Sequence, residues 1–399
     1  MEKVNAATQK TVPMRSAVQM KNLRCIALGR DFLDARPLSN LCEVLGIGNH
    51  EGINRMMRMS GVEEAYITGG ASDYDKTGAL CRVLPLWAGH PYSFALGELL
   101  IRGFGIEVFP DDKSLPEIWR KVAEVLFKKN LTLRDLAYSM GLGHMTVLLT
   151  PEELMSLAPN RVIPENTEVW LTLTDLTGAL WSSSLLPSLN QETAATDMSQ
   201  RLIGLLNDCR ARGCRGVAVD LSNCTIFLRP NPYTPARAVI KLQHGETLTE
   251  DERALIVWQS LRLFGGECVR RGWRLMMTGL SSHLIAPICD YLRGCGCLPE
   301  TWVVTSEGDV ALSCGVIPYL PLETQTSYGA LSRKLEDMAA RMPLGRLGGI
   351  YMPLRGAIDF PMVMQSAQVL CRCVTCLGMS GWGTDRVDEQ KALLEKILT

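Results

Sequence analysis

The chain has 399 residues, 47% of them hydrophobic, and a formal net charge of −1. This length and apolar content can bury a large core, as one big α/β domain or two to three smaller ones. With no long run of one charge, nucleic acid and anionic membranes are poor partners, and no run of about 18 apolar residues is present to span a bilayer.

The opening Met1-Glu-Lys-Val-Asn-Ala6 lacks the apolar core of a signal peptide. Fourteen cysteines without a secretion signal read as reduced, mostly buried thiols, so a cytoplasmic protein is expected. Leu23-Arg-Cys-Ile-Ala-Leu28 is a short apolar run that predicts a first core strand. From residue 38 to about 142 the pattern is helical, over 40–45, 53–59, 74–83, 92–101, 115–128 and 133–140. Ser72 or Asp73 would cap the third of these helices and Thr132 the last. Beyond that block, short apolar runs at 145–149, 169–173, 216–220, 275–278, 302–305, 310–313 and 348–351 read as buried strands. Helical periodicity at 198–212, 251–271, 283–292 and 328–341 separates several of them. Eight strands alternating with helices give the count of a (β/α)8 barrel, and a doubly wound open sheet fits the alternation almost as well.

Punctuated motifs in the helical block carry more information. They are Arg58-Met-Ser-Gly61-Val62, Thr68-Gly-Gly-Ala-Ser-Asp73, Gly89-His-Pro91 and Arg102-Gly-Phe-Gly-Ile106. Further on stand His244-Gly-Glu-Thr-Leu-Thr-Glu250 and Gly266-Glu-Cys-Val-Arg-Arg-Gly-Trp273. In order and spacing these resemble the uronate isomerases, the glucuronate and galacturonate isomerases of the amidohydrolase superfamily, from about Leu38 to Gly378. The resemblance implies an α/β fold, a (β/α)8 TIM barrel with a helical insertion after the first strand. The organisation expected is 1–37 as N-terminal segment and first strand, 38–142 as insertion, and 143–399 as the rest of the barrel.

The resemblance also implies one divalent metal at the C-terminal mouth, held by His-x-His on the first strand and Asp on the last. Such a metal polarises carbonyl and hydroxyl oxygens while nearby bases move a proton between adjacent carbons, interconverting aldose and ketose. This chain departs from that set. Cys25-Ile-Ala-Leu-Gly-Arg-Asp31 contains no histidine, although Asp31 and Asp34 offer oxygens nearby. Thr278 falls where the family has a histidine, and Val217-Ala-Val219 replaces the Ser-Asp-His of the fourth strand. Pro353 stands where the metal-binding aspartate belongs, and the arginine after the third strand is missing near Thr174. The expectation is therefore that metal-based activity is lost or altered, that no cofactor is held, and that the chain is a pseudoenzyme. The alternative is an active hexuronate isomerase with a rebuilt site.

The candidate substrate-binding residues are Arg355, Arg58, His50 and Asp220. Arg355 is the arginine that the resemblance aligns with the substrate carboxylate, a role suited to its bidentate fork. Arg58 follows the family's Met-Arg motif and faces either the site or the barrel wall. His50, in Gly48-Asn-His-Glu-Gly52, reads as a surface-turn histidine or as a site residue lent by the insertion. Asp220, with Asp175 and Glu307, sits at a strand end, as ordinary loop acid or as barrel chemistry. Cys295-x-Cys297 and Cys371-x-Cys373-x-x-Cys376 invite a zinc reading, but i and i+2 do not share a helix face, so buried thiols are the safer reading. The Gly378–Gly383 run reads as a terminal turn. A sugar-acid ligand and a homo-oligomer are expected. An open polar cavity at the strand ends would favour an enzyme, and a mouth plugged by Tyr351, Met352 and Met362 would argue against one.

Overall fold

The computed structural model describes residues 24–182, 189, 193–231, 233–322, 328–342 and 346–366. The cysteines at 371, 373 and 376 and the glycine-rich run at 378–383 lie outside them.

Eight strands alternate with helices: Arg24–Leu28 (β1), His144–Leu149 (β2), Thr167–Leu173 (β3), Cys214–Asp220 (β4), Arg274–Thr278 (β5), Thr301–Val304 (β6), Ile317–Pro321 (β7) and Gly349–Tyr351 (β8). They pair in parallel in the order β1 to β8. The seam between β8 and β1 is closed just past β8, where Leu28 N–H donates to the Leu354 carbonyl and Leu354 N–H to the Ile26 carbonyl, both at 2.7 Å. The fold is the expected (β/α)8 barrel.

Six helices lie between β1 and β2: Leu41–Leu45 (α1), Glu51–Met59 (α2), Asp73–Val83 (α3), Pro91–Phe104 (α4), Leu115–Lys129 (α5) and Leu133–Ser139 (α6). The caps read from the sequence hold. Ser72 Oγ accepts from Asp75 N–H, and Thr132 and Asp135 form a reciprocal capping box. Later helices are Pro151–Met155 (α7), Gly178–Ser182 (α8), Ala194–Ala211 (α9), Tyr233–Gln243 (α10), Glu250–Arg271 (α11), Ser282–Gly294 (α12), Gly308–Ser313 (α13) and Tyr328–Ala339 (α14).

One strand is corrected. The apolar run at 310–313 belongs to α13, with Gly308 and Ala311 buried three residues apart, which is helical spacing. The seventh strand is Ile317–Pro321, whose two prolines argued against it. Pro318 lacks an N–H, yet its carbonyl still accepts from Gly348 N–H at 2.8 Å.

Inside the barrel Ile26, Leu148, Trp170, Ala218, Met276, Trp302, Val304 and Tyr319 form their own apolar cluster. Trp302 packs against Trp170 and Tyr319 with ring centroids 4.8 and 4.9 Å away. A Cβ on Gly216 would come within 2.5 Å of the Trp170 indole, so the fourth strand gives up a side chain to make room for it. The interior is a packed core, and any ligand must sit at the rim.

Candidate functional site

A cavity of about 560 Å³ opens where β3 and β4 end. Its walls include Thr174, Asp175 and Thr177 after β3, Asp220, Asn223, Cys224 and Thr225 from β4 onward, and Glu250 and Arg253 in the first turn of α11. Such a volume suits a small ligand, and this end of a parallel barrel is where barrel sites are built.

Asp175 and Asp220 are seated by their own turns, and Glu250 by a hydroxyl from the segment after β4. Asp175 Oδ1 accepts from Thr177 N–H at 2.7 Å and its Oδ2 from Gly178 N–H at 2.9 Å. Asp220 Oδ1 accepts from Ser222 N–H at 3.0 Å, and no bond to its Oδ2 is made among the described residues. Glu250 Oε1 accepts from the Thr225 hydroxyl at 2.6 Å. Gly279, at φ +68°, lets the β5 turn pass beside Asp220; a Cβ there would lie 2.5 Å from Oδ1.

The acids leave an electrostatic mark on their neighbours. Burial, then Asp220 and Asp175, pushes the Cys224 thiol up to about 11. Burial pushes the Tyr351 phenol up to about 12, with Asp220 raising it further and Arg355 opposing. Both groups are therefore protonated at neutral pH, the thiol as a poor nucleophile and the phenol as a hydrogen-bond donor.

Of the four candidates from the sequence, Asp220 lines this cavity. Arg355 follows β8 with an exposed side chain close enough to influence Tyr351, and it is not a wall residue of the cavity. Its backbone N–H donates to Asp359 Oδ2 at 2.8 Å. The other Asp359 oxygen accepts from His50 Nε2 at 3.0 Å. His50 is 2% exposed, so the surface-turn reading is corrected: its partner lies 309 residues away, beyond the reach of local sequence. Its Nδ1 accepts from Ile53 N–H, capping α2, which leaves Nε2 as the donor to Asp359. His50 thus braces the turn that carries Arg355. Arg58 lies on the surface, paired with Glu64 at 2.9 Å and Glu51 at 3.3 Å.

Asp34 is held by Arg30 at 3.0 Å and Arg161 at 3.2 Å, and Asp31 is exposed. Met352 and Met362 are buried in the core shared with the insertion, and neither is a wall residue of the cavity. Among the described residues no three His, Cys, Asp or Glu side chains converge as a metal-holding group. The described residues therefore offer no three-ligand set for the divalent metal that the resemblance implies, and no step is routed through one.

Arg253 and Glu250 escaped the sequence reading. The available signal was Thr249-x-x-Glu252, a capping box that fixes where α11 starts and so which residues occupy its first turn.

A parallel eight-stranded barrel with a charged cavity at the strand C-termini, and a helical block inserted after β1, defines the class. Residues 19–169 match the family model for glucuronate isomerase. The chain is 33% identical over 294 residues to a uronate isomerase of Caldicellulosiruptor saccharolyticus, covering 69% of this chain and 61% of that one. It is 30% identical over 278 residues to that of Bacillus pumilus, covering 63% and 55%. The chain belongs to the uronate isomerase family. The matches span less than two-thirds of these relatives' own length. In fold alone it is similar to the uronate isomerase of Thermotoga maritima, with TM-score 0.68, 18% identity, and 95% of this chain and 93% of that one covered. The glucuronate isomerase of Caulobacter crescentus gives TM-score 0.71 at 10% identity, with 95% and 90% covered. No helix among the described residues is long and apolar enough to cross a membrane.

Proposed function

We propose that the protein binds a hexuronate or a closely related sugar acid in the cavity at the ends of β3 and β4, in the cytoplasm, without the metal chemistry of its family. The observation that carries this reading is the cavity itself. It is acceptor-rich, with Asp175, Asp220, Glu250 and three threonines to take sugar hydroxyls, while no metal-holding group stands among the described residues.

A second reading, isomerisation by a rebuilt site, is favoured by the unengaged Oδ2 of Asp220. As a base it would take the proton from the carbon next to the carbonyl and return it to the former carbonyl carbon, while the hydroxyl proton on the first carbon's oxygen passes to the former carbonyl oxygen, with a protonated group such as Tyr351 as the hydrogen-bonding relay.

Conversion of glucuronate and galacturonate by the purified chain separates the two, run metal-stripped and with added zinc or manganese. The proposal expects binding without turnover in every case. Turnover that survives chelation and is lost in Asp220→Asn would establish the rebuilt site. Turnover restored by zinc or manganese would overturn both readings.

A further inference from the structure

Arg253 lines the same cavity from the first turn of α11, and no other lysine or arginine is among its wall residues that the structure describes. It lines the cavity together with three carboxylates, yet it forms no ion pair among the described residues. Its guanidinium makes one long bond, from Nη2 to the Leu248 carbonyl at 3.3 Å. The acids are meanwhile occupied by other donors: Asp175 by its own turn, Asp220 by Ser222 N–H and Glu250 by the Thr225 hydroxyl. A guanidinium carries five N–H donors in a planar fork that matches a carboxylate. Most of that fork is unspent among the described residues, at a cavity whose described wall holds no other cation.

Resting on the sugar-acid reading above, we infer that Arg253 is the specificity-determining residue of the cavity, the group that reads the ligand's carboxylate. A hexuronate presents one anion and several hydroxyls, and the wall presents one guanidinium and several acceptors. The same arithmetic sets the selectivity. Arg253 offsets one of the three carboxylates and offers a bidentate partner, so without it an anionic sugar is repelled more strongly while a neutral one still donates its hydroxyls. Arg355, outside the cavity wall, does not supply the missing charge.

The test compares acids with their uncharged counterparts. Glucuronate and galacturonate, and beside them glucose and galactose, are titrated into wild type, Arg253→Met, Arg253→Lys and Arg355→Ala, with thermal melts to confirm that each variant is folded. The expected result is a wild-type preference for the acids. Arg253→Met weakens acid binding about 30-fold while leaving the neutral sugars unchanged, the scale of a charge-assisted bond, and Arg253→Lys recovers part of the loss. An unchanged acid preference in Arg253→Met, or its loss in Arg355→Ala instead, overturns the assignment while leaving the sugar-acid reading standing. Equal wild-type binding of acid and neutral sugar overturns the assignment as well. Wild type that binds none of the four removes the sugar-acid reading and Arg253's role with it.

Discussion

Asp359 is a fully buried carboxylate satisfied by three donors: His50 Nε2 and the backbone N–H groups of Arg355 and Gly356. Such an anion is tolerated because every bond comes from a group that needs an acceptor. His50 serves two elements at once, capping α2 with Nδ1 and holding the turn after β8 with Nε2. Removing it leaves a buried oxygen of Asp359 unpaired and uncaps the helix. His50→Ala should therefore cost about 2–3 kcal/mol in urea unfolding. His50→Asn can keep the cap and should recover the smaller part. A His50→Ala protein as stable as wild type would show that the pair is not the clamp described.

Among elements, legibility followed locality. Caps at Ser72 and Thr132 were readable because the capping residue and the amide it satisfies lie within three positions. The strands of the barrel wall were readable because burial on both faces leaves continuous apolar runs such as Val169–Leu173 within β3. The seventh strand was not, since a four-residue apolar run has no period to measure and the true strand carries two prolines. Of the site, Asp220 was readable from its place at a strand end. Arg253 was hidden because its role depends on where the first turn of α11 lands beside β4, a tertiary fact. His50 reads from the sequence as either a surface turn or a site residue for the same reason, its partner being supplied by the far end of the chain.

At the scale of the whole molecule, the thiols make stability depend on alkaline pH. Burial raises Cys25, Cys81 and Cys289 to about 12 and Cys214 to about 11, and holds Cys209 and Cys268 higher still, against an ordinary value of 9.0. Folded, these six groups keep their protons; unfolded, they release them above pH 9. A raised folded value means the contribution is fully present below pH 9 and is lost as pH rises towards 11–12. Because several buried thiols act in the same direction, the folded state should weaken steeply as pH rises above 9. Circular dichroism should show unfolding near pH 10, displaced upward when single buried cysteines are replaced by alanine or serine at little packing cost. A fold unchanged to pH 11 would contradict the buried-thiol picture.

The proposed function places a sugar-acid site, with no resident metal, in the cavity at the rim of a packed barrel. Calorimetric titration of galacturonate into chelator-treated protein, wild type beside Asp220→Asn, tests that most directly. Saturable one-to-one binding that is weakened by Asp220→Asn and unaffected by added zinc or manganese is the predicted result. Absence of binding, or binding that returns only with the metal, would contradict it.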